Sequence, residues 1–173
     1  RTLEEVTIDV FYYPQARSAA RRVMDVTAET LGLYGTWYGP YGKGLYPHLT
    51  VIVVPPGAGG AGGMEYPTLF TVGALASGDT PRCLKLLEAE TVHELAHQWF
   101  QSVVATNEAE APWLDEGFAD YSTARALHAL YDGALSNCGG WQLSYLATRR
   151  WEYAMWPETP MAGRAWDFGV EYS

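Results

Sequence analysis

A largely apolar, β-branched run at residues 49–54 limits this chain to folds that are built around a β-sheet. Pro55 and Pro56 close the run, whose length and composition are typical of a buried strand. Alternating apolar and polar side chains predict another strand at residues 6–12, and the glycine-rich stretch after Pro56 leads into a third at residues 64–74. The first half of the chain is therefore predicted to supply a sheet.

The second half of the chain changes to helical periodicity. Apolar side chains recur at helical spacing over residues 84–104, 112–131 and 141–156. One helix is also predicted between the first two strands, at residues 15–36, followed by a loop at residues 37–47. Strands that come first and helices that come after favour an α+β domain in which sheet and helices are segregated.

Composition restricts the class of protein further. The 173 residues suffice for one buried domain, and the net charge of -9 argues against nucleic acid as a partner. No apolar run approaches the roughly 20 residues of a membrane-spanning helix. Because the chain opens on Arg1 and not on Met, we expect a segment of a longer protein. Cys83 and Cys138 lack the spacing of a metal-binding pair, so they are either buried thiols or partners in a disulfide. Because the sequence does not decide between these, it does not indicate the redox compartment of the protein.

The motif His-Glu-Leu-Ala-His at residues 93–97 lies inside the predicted helix 84–104. Because an α-helix has about 3.6 residues per turn, His93 and His97 project from one face, and both imidazoles can reach one metal ion. Glu94 stands beside that face, where its carboxylate can take a proton from a water molecule on the ion. Zinc suits imidazole and carboxylate ligands and keeps an open position at catalytic sites. The alternative is an accidental match in an amphipathic helix.

Glu116 is the candidate for the third ligand. Eighteen residues separate it from His97, and the polar linker before Pro112 lets the second helix turn back against the first. Asp120 lies one turn further along the same helical face, where it can accept the other ring N–H of a ligand histidine and orient the ring. The alternative is that Asp115, Glu116 and Asp120 only favour the helix N-terminus through its dipole.

HExxH followed after eighteen residues by glutamate is the spacing of the gluzincin metallopeptidases. Gly-Gly-Met-Glu at residues 62–65, His-Gln-Trp-Phe at residues 97–100 and Trp-Leu-Asp-Glu-Gly-Phe-Ala at residues 113–119 resemble the motifs of the membrane alanyl aminopeptidase family, in the family's order. The resemblance implies a thermolysin-like catalytic domain over residues 15–173, a twisted mixed sheet followed by helices, with one zinc ion per domain. Residues 1–14 are then the end of a preceding strand region or a domain junction.

The resemblance also implies how substrate is held. In the family, the glutamate that corresponds to Glu65 binds the free α-amine, and the backbone at Gly62 and Gly63 contacts the peptide. A carboxylate on a strand edge near the metal can hold an ammonium group so that only the first peptide bond reaches the water. The implied partners are peptides with a free N-terminus, together with the remaining domains of the parent chain.

The sequence departs from the family pattern in three ways. Tyr66 replaces the asparagine that usually follows Met-Glu, and Gln101-Ser102 replaces the Gly-Asn that commonly follows His-Gln-Trp-Phe. No Tyr-x-Lys-Gly, whose tyrosine stabilises the oxyanion in the family, follows Glu116. Residues 165–173 resemble what usually precedes that motif, so we expect the chain to stop just before it, and we do not assign the role to Tyr172.

The remaining histidines and aromatic residues are interpreted as structural. His48 and His128 lie outside the metal-binding pattern. Aromatic side chains of the last predicted helix are predicted to pack in the core, among them Trp141, Tyr145 and Tyr153.

The predicted function is that of a zinc-dependent metallopeptidase, an aminopeptidase that removes N-terminal residues with a zinc-activated water and Glu94 as general base. An endopeptidase and an epoxide-hydrolase-like relative are the alternatives within the same chemistry, and both differ at the amine-binding step. Outside catalysis, the alternative is a relative that keeps the fold for binding. The complete ligand set of His93, His97 and Glu116 argues against that last alternative.

Overall fold

The computed structural model describes residues 6–44, 46–58, 61–73 and 81–155. Its strands and α-helices are, in chain order, β1 (Thr7–Tyr12), α1 (Arg17–Tyr38), β2 (His48–Val53), β3 (Met64–Tyr66), β4 (Leu69–Val72), α2 (Leu86–Ala96), α3 (Glu116–Tyr131), β5 (Ala134–Cys138), β6 (Trp141–Ser144) and α4 (Tyr145–Met155). Short 3-10 turns lie at Pro14–Ala16, Tyr41–Gly44 and Pro112–Leu114. A sheet followed mainly by helices confirms the predicted α+β class, whereas the likeness to thermolysin stays a prediction.

Four strands form one mixed sheet in the order β1-β2-β4-β3. β2 runs parallel to both of its neighbours, β1 and β4, and β3 runs antiparallel to β4. Leu49, Val51 and Val53, on one face of β2, are buried, which agrees with the prediction of a buried strand, whereas Thr50 and Ile52 on the other face are partly exposed. In the described part of the chain, β3 is an edge strand, so one of its sides is left for the cleft described below.

The helices α1 and α2 pack side by side against the sheet and enclose the core. Val23 and Val26 of α1 are buried against the same core as Val92 and Leu95 of α2. The hydroxyl of Tyr34 donates to the carbonyl of Val92 at 3.0 Å, which links the two helices through a buried bond. Because α2 is buried on most sides, its position relative to the sheet is fixed.

The single strand predicted at residues 64–74 is wrong, because the chain reverses within it. β3 and β4 form an antiparallel hairpin, and Thr68 between them has φ of 65°. The side chain of Gln98, just past α2, holds this reversal. Its amide donates to the carbonyl of Tyr66 at 2.9 Å, and its side-chain oxygen accepts the N–H of Thr68 at 2.9 Å. A contact from a distant part of the chain therefore stabilises the turn.

The helix predicted at residues 84–104 is too long, because α2 ends at Ala96 and the chain continues as turns. Gln101 in these turns has φ of 143°, a conformation that interrupts helical hydrogen bonding. The helix predicted to open at Pro112 also begins later. Pro112 starts a 3-10 turn, and α3 itself begins at Glu116, which therefore occupies the first helical position.

The helix predicted at residues 141–156 is wrong in its first turn. Residues 134–144 form the antiparallel β5–β6 hairpin, and α4 begins only at Tyr145. Gly139 and Gly140 connect the two strands with φ of 61° and 84°, a backbone conformation that glycine adopts without strain.

A disulfide joins Cys138 of this hairpin to Cys83, just before α2, which answers whether the two cysteines pair. The backbone N–H of Lys85 also donates to the carbonyl of Leu135 at 2.8 Å. The hairpin is therefore tied to the start of α2 by a covalent bond and by a backbone hydrogen bond.

The aromatic residues near α4 do not share one environment. Tyr145 is buried, which agrees with its predicted place in the core. Trp141 and Tyr153 are 85% and 74% exposed, so the core assignment is wrong for them.

None of the helices in the described ranges is both long and apolar enough to cross a membrane. β1 pairs with β2 along its whole length. The predicted division between residues 1–14 and residues 15–173 stays a prediction.

Candidate metal centre

A cleft lies along one face of α2, lined by the two histidines of the HExxH motif. His93 and His97 are one helical turn apart, and their Nε2 atoms are 3.3 Å apart. His97 is buried at the C-terminal end of α2, whereas His93 is partly exposed. The spacing of four residues brings both imidazole rings to one point because α2 is helical through this motif.

Glu116, the first residue of α3, meets both rings. Its Oε2 atom lies 3.0 Å from Nε2 of His93 and 3.8 Å from Nε2 of His97. Glu116 reaches the two histidines because α3 packs against α2 after the loop that connects the two helices. The structure thus brings together the three residues that the sequence analysis assigns to a metal ion.

The three facing atoms have the spacing that a tetrahedral zinc ion requires. Ligand atoms about 2.0–2.1 Å from zinc lie about 3.3–3.4 Å from one another in that geometry. The separations in this protein are 3.0, 3.3 and 3.8 Å. Because carboxylates lie beside the Nδ1 atoms of both rings, the Nε2 atoms can present their lone pairs to the common point. The donor set of His93, His97 and Glu116 therefore fits zinc.

Asp115 is a residue of this centre that sequence reasoning missed. Its Oδ1 atom accepts the Nδ1–H of His97 at 2.6 Å, and both side chains are buried. The tautomer and the orientation of the His97 ring are therefore set by Asp115. The sequence analysis gives Asp115 only a helix-terminal role. Its position directly before Glu116 is the signal that points to it, because the start of α3 meets α2.

Asp120 lies beside the other ring, at a greater distance. Its Oδ1 atom is 3.5 Å from Nδ1 of His93 and accepts the hydroxyl of Tyr145 at 2.5 Å. Tyr145 lines the cleft from the start of α4. Sequence reasoning missed this contact because it did not predict the hairpin that places Tyr145 opposite α3.

The carboxylates of Glu116 and Asp120 stabilise positive charge between the two histidine rings. Burial lowers the pKa of His93, but its hydrogen bonds to Asp120 and Glu116 outweigh burial and raise the pKa to about 10. Burial opposes ionisation of Glu116, yet the hydrogen bond from His93 lowers the pKa of Glu116. A histidine ligand must be neutral to bind a metal ion, so we expect metal affinity to rise with pH.

Glu94 follows His93 and is buried at the cleft. Burial raises the pKa of Glu94 to about 7, although the positive charges of His93 and His97 lower it. Its Oε2 atom has no hydrogen-bond partner within the described residues. A buried carboxylate with a free oxygen suits a group that accepts a proton and returns it.

β3 and the glycines before it form one wall of the cleft. A carboxylate oxygen of Glu65 lies within 4.8 Å of a carboxylate oxygen of Glu94 and of a ring nitrogen of His97. Burial raises the pKa of Glu65. Gly62 and Gly63 line the same wall, and a Cβ atom at Gly63 would lie 3.3 Å from Oε1 of Glu94. The glycine therefore keeps the space in front of Glu94 open.

The β5–β6 hairpin and α4 form the opposite wall. Leu135, Tyr145 and Arg149 line this side, and Leu86 and Ala89 of α2 lie beside it. The cleft has a volume of about 650 Å³. That volume lies within the range of about 300–1,000 Å³ that is usual for ligand sites, so the cleft can hold part of a peptide.

Acidic side chains dominate the cleft. Arg149 is the one Lys or Arg side chain among the described residues that line it, and it pairs with Glu152 at 2.9 Å. A cleft of this charge favours a metal cation and the ammonium group of a substrate. The carboxylates that line it are those of Glu65, Glu90, Glu94, Glu116 and Asp120.

Comparison with known proteins agrees with this geometry. Residues 22–155 match the model of the peptidase family M1 domain. The chain is similar to Aminopeptidase 2 of Candida albicans, with 33% identity over 134 residues, 73% of this chain and 14% of that protein. It is also similar to Probable aminopeptidase 2 of Sulfurisphaera tokodaii, with 30% identity over 131 residues, 75% of this chain and 16% of that protein.

The chain is also similar to a mammalian aminopeptidase. Aminopeptidase B of Mus musculus is 32% identical over 122 residues, 70% of this chain and 17% of that protein. The chain thus spans less than a fifth of the length of these curated relatives. His93, His97 and Glu116 lie within the range that matches the family model.

Proposed function

This chain belongs to peptidase family M1, and on that premise we propose that it carries the catalytic centre of a zinc-dependent aminopeptidase. The observation that carries the proposal is the convergence of His93, His97 and Glu116, with Glu94 and Glu65 beside them. The proposed substrates are peptides with a free N-terminus. The names of the three relatives, all aminopeptidases, support the same activity.

The Nε2 atoms of His93 and His97 and a carboxylate oxygen of Glu116 would hold the zinc ion. Bound zinc supplies Lewis acidity, which acidifies a water molecule and polarises a carbonyl group. Asp115 fixes the ring of His97, so that Nε2 faces the centre while Nδ1 stays protonated. Asp120 orients the ring of His93 in the same way, from a longer distance. The hydroxyl of Tyr145 donates to Asp120 and holds its carboxylate in place.

Glu94 acts as the general base. It takes a proton from the attacking water and later gives that proton to the amine of the leaving peptide. Its unpartnered Oε2 atom is available for the first transfer. Burial raises the pKa of Glu94, so its carboxylate takes up a proton more readily than an exposed glutamate does.

Glu65 holds the α-ammonium group of the substrate. Its carboxylate lies within 4.8 Å of that of Glu94, so an amine bound at Glu65 places the first peptide bond near the base. The open backbone at Gly62 and Gly63 receives the peptide chain. This arrangement selects exopeptidase cleavage, because an internal residue has no free α-ammonium group for Glu65 to bind.

No oxyanion donor is assigned within the described residues. Tyr145 reaches the cleft, but its hydroxyl donates to Asp120, so we assign it to holding that carboxylate. Tyr172 lies outside the described residues.

Zinc binding tests the proposal directly. Protein loaded with zinc is expected to contain about one equivalent by elemental analysis. His97→Ala is expected to abolish binding, because the two ligands that remain are too few to hold the ion. His128→Ala is the matched control, since His128 is an exposed histidine of α3 that does not line the cleft. Wild-type protein that stays metal-free at saturating zinc would contradict the assignment.

Two aspartate variants separate the roles of the residues behind the histidines. Asp115→Ala is expected to weaken zinc affinity by about 10–100-fold, because His97 loses the buried acceptor that orients it. Asp120→Ala should cost less, since its contact with His93 is longer and more exposed. Competition with a chelator measures both affinities. A larger loss of zinc affinity in Asp120→Ala than in Asp115→Ala would contradict this prediction.

A further inference from the structure

Glu90 is a half-buried carboxylate of the cleft that the proposed mechanism does not use. It lies on α2 one turn before Glu94 and lines the same cleft. Its Oε1 atom accepts the backbone N–H of Gly73 at 2.5 Å. Gly73 directly follows β4, so this hydrogen bond to an ionisable acceptor ties the end of β4 to the helix that carries the base.

Gly73 in turn touches the glycine segment, which we define as residues 61–63. A Cβ atom at Gly62 would lie 2.6 Å from the Cα atom of Gly73, so the two backbones are in direct contact. A Cβ atom at Gly73 would lie 3.1 Å from Oε1 of Glu90, tighter than an ordinary contact. Glu90, Gly73 and Gly62 therefore form a continuous stack from α2 to the wall of the cleft.

Thr71 holds the same segment from both ends. Its hydroxyl donates to the carbonyl of Ala61 at 2.5 Å and accepts the N–H of Met64 at 3.1 Å. Gly63 between these anchors has φ of 66° and faces Glu94. Thr71 fixes the glycine segment to β4, and the bond between Gly73 and Glu90 fixes β4 and the segment relative to α2.

From this stack we infer that Glu90 is a positioning residue, which sets the distance between the glycine segment and Glu94. The inference rests on the proposed function, in which the backbone at Gly62 and Gly63 contacts the peptide. Without the carboxylate, Gly73 loses its acceptor and the segment is held less firmly over the cleft. Because the segment binds substrate and does not react, the loss is expected mainly in KM.

Kinetics of Glu90 variants test the inference in the complete gene product that contains this chain. With an unblocked alanine tripeptide as substrate, Glu90→Ala is expected to raise KM about tenfold and to change kcat less than about threefold, with zinc content unchanged. Glu90→Gln keeps an acceptor oxygen and should restore KM to within about threefold of wild type. An unchanged KM in Glu90→Ala, or loss of zinc from either variant, would overturn the inference.

A double-mutant cycle gives a second test of the same contact. Gly73→Ala should raise KM in the wild type, because its Cβ atom meets Glu90, but should add little in the Glu90→Ala background. Additive losses would show that the two residues act independently and would overturn the inference.

Amide hydrogen exchange separates this inference from the proposed function, because it needs no turnover. Glu90→Ala is expected to speed exchange at Gly73 and across residues 61–64 about tenfold, while β1 stays as in the wild type. If the wild type cleaves no peptide, the proposed function fails, and exchange still decides the role of Glu90. Unchanged exchange at these amides would overturn that role.

Discussion

Glu94→Gln is expected to lower kcat about 10²–10⁴-fold while the protein keeps its zinc. The amide has nearly the size of the carboxylate, but it cannot accept a proton from the attacking water. Glu94 is not one of the three converging ligand residues, so the donor set itself is unchanged by the substitution. Steady-state kcat on an unblocked peptide, with zinc measured on the same samples, checks this result.

Glu29→Gln is the matched control for this variant. Glu29 is exposed on α1 and does not line the cleft, so kcat should stay at the wild-type value. A Glu94→Gln protein that keeps more than about a tenth of the wild-type kcat would show that another group is the base. Loss of zinc together with turnover would assign Glu94 to the metal centre instead.

The second large effect is expected to be selective for the substrate. Glu65→Ala should lower kcat/KM on unblocked peptides by about 10²–10³-fold, because a desolvated ammonium group loses its counter-charge. Acetylated peptides carry no ammonium group and should be nearly unaffected. The ratio of kcat/KM for an unblocked peptide and its acetylated form, in wild type and variant, measures the effect.

Glu65→Gln separates charge from shape in the same assay. It should lose the preference for unblocked peptides almost as fully as Glu65→Ala, since its amide carries no negative charge. Equal losses on both substrate forms would make Glu65 a structural residue. A wild-type enzyme that cleaves acetylated peptides equally well would favour the endopeptidase alternative over an aminopeptidase.

Elements whose identity depends on local periodicity could be predicted closely from the sequence. The strands predicted at residues 6–12 and 49–54 correspond to β1 and β2, and the helix predicted at residues 15–36 corresponds to α1. In each case the side chains of one segment decide which face is buried, so the pattern within that segment is sufficient.

Elements that depend on distant contacts were predicted wrongly. The reversal between β3 and β4 is held by Gln98, and the β5–β6 hairpin is joined to the start of α2 through Cys83. Both segments contain enough apolar residues to suit a simpler continuous element. Their conformation is decided by contacts with residues that lie too far along the chain to be part of a local sequence pattern.

His93 and His97 belong to the first kind of feature, because they share a face in any α-helix. Glu116 was singled out by a spacing that resembles a known family's, although its contact with the histidines crosses from α3 to α2. Asp115, Tyr145 and Glu90 belong to the second kind. Their contacts join residues 18, 25 and 17 positions apart and cross from one element to another. Sequence alone therefore determined that His93 and His97 can face one metal ion, because helix geometry is local. Only the tertiary structure decided what orients those groups and the cleft wall beside them, because spacing along the chain does not encode distances across an interface.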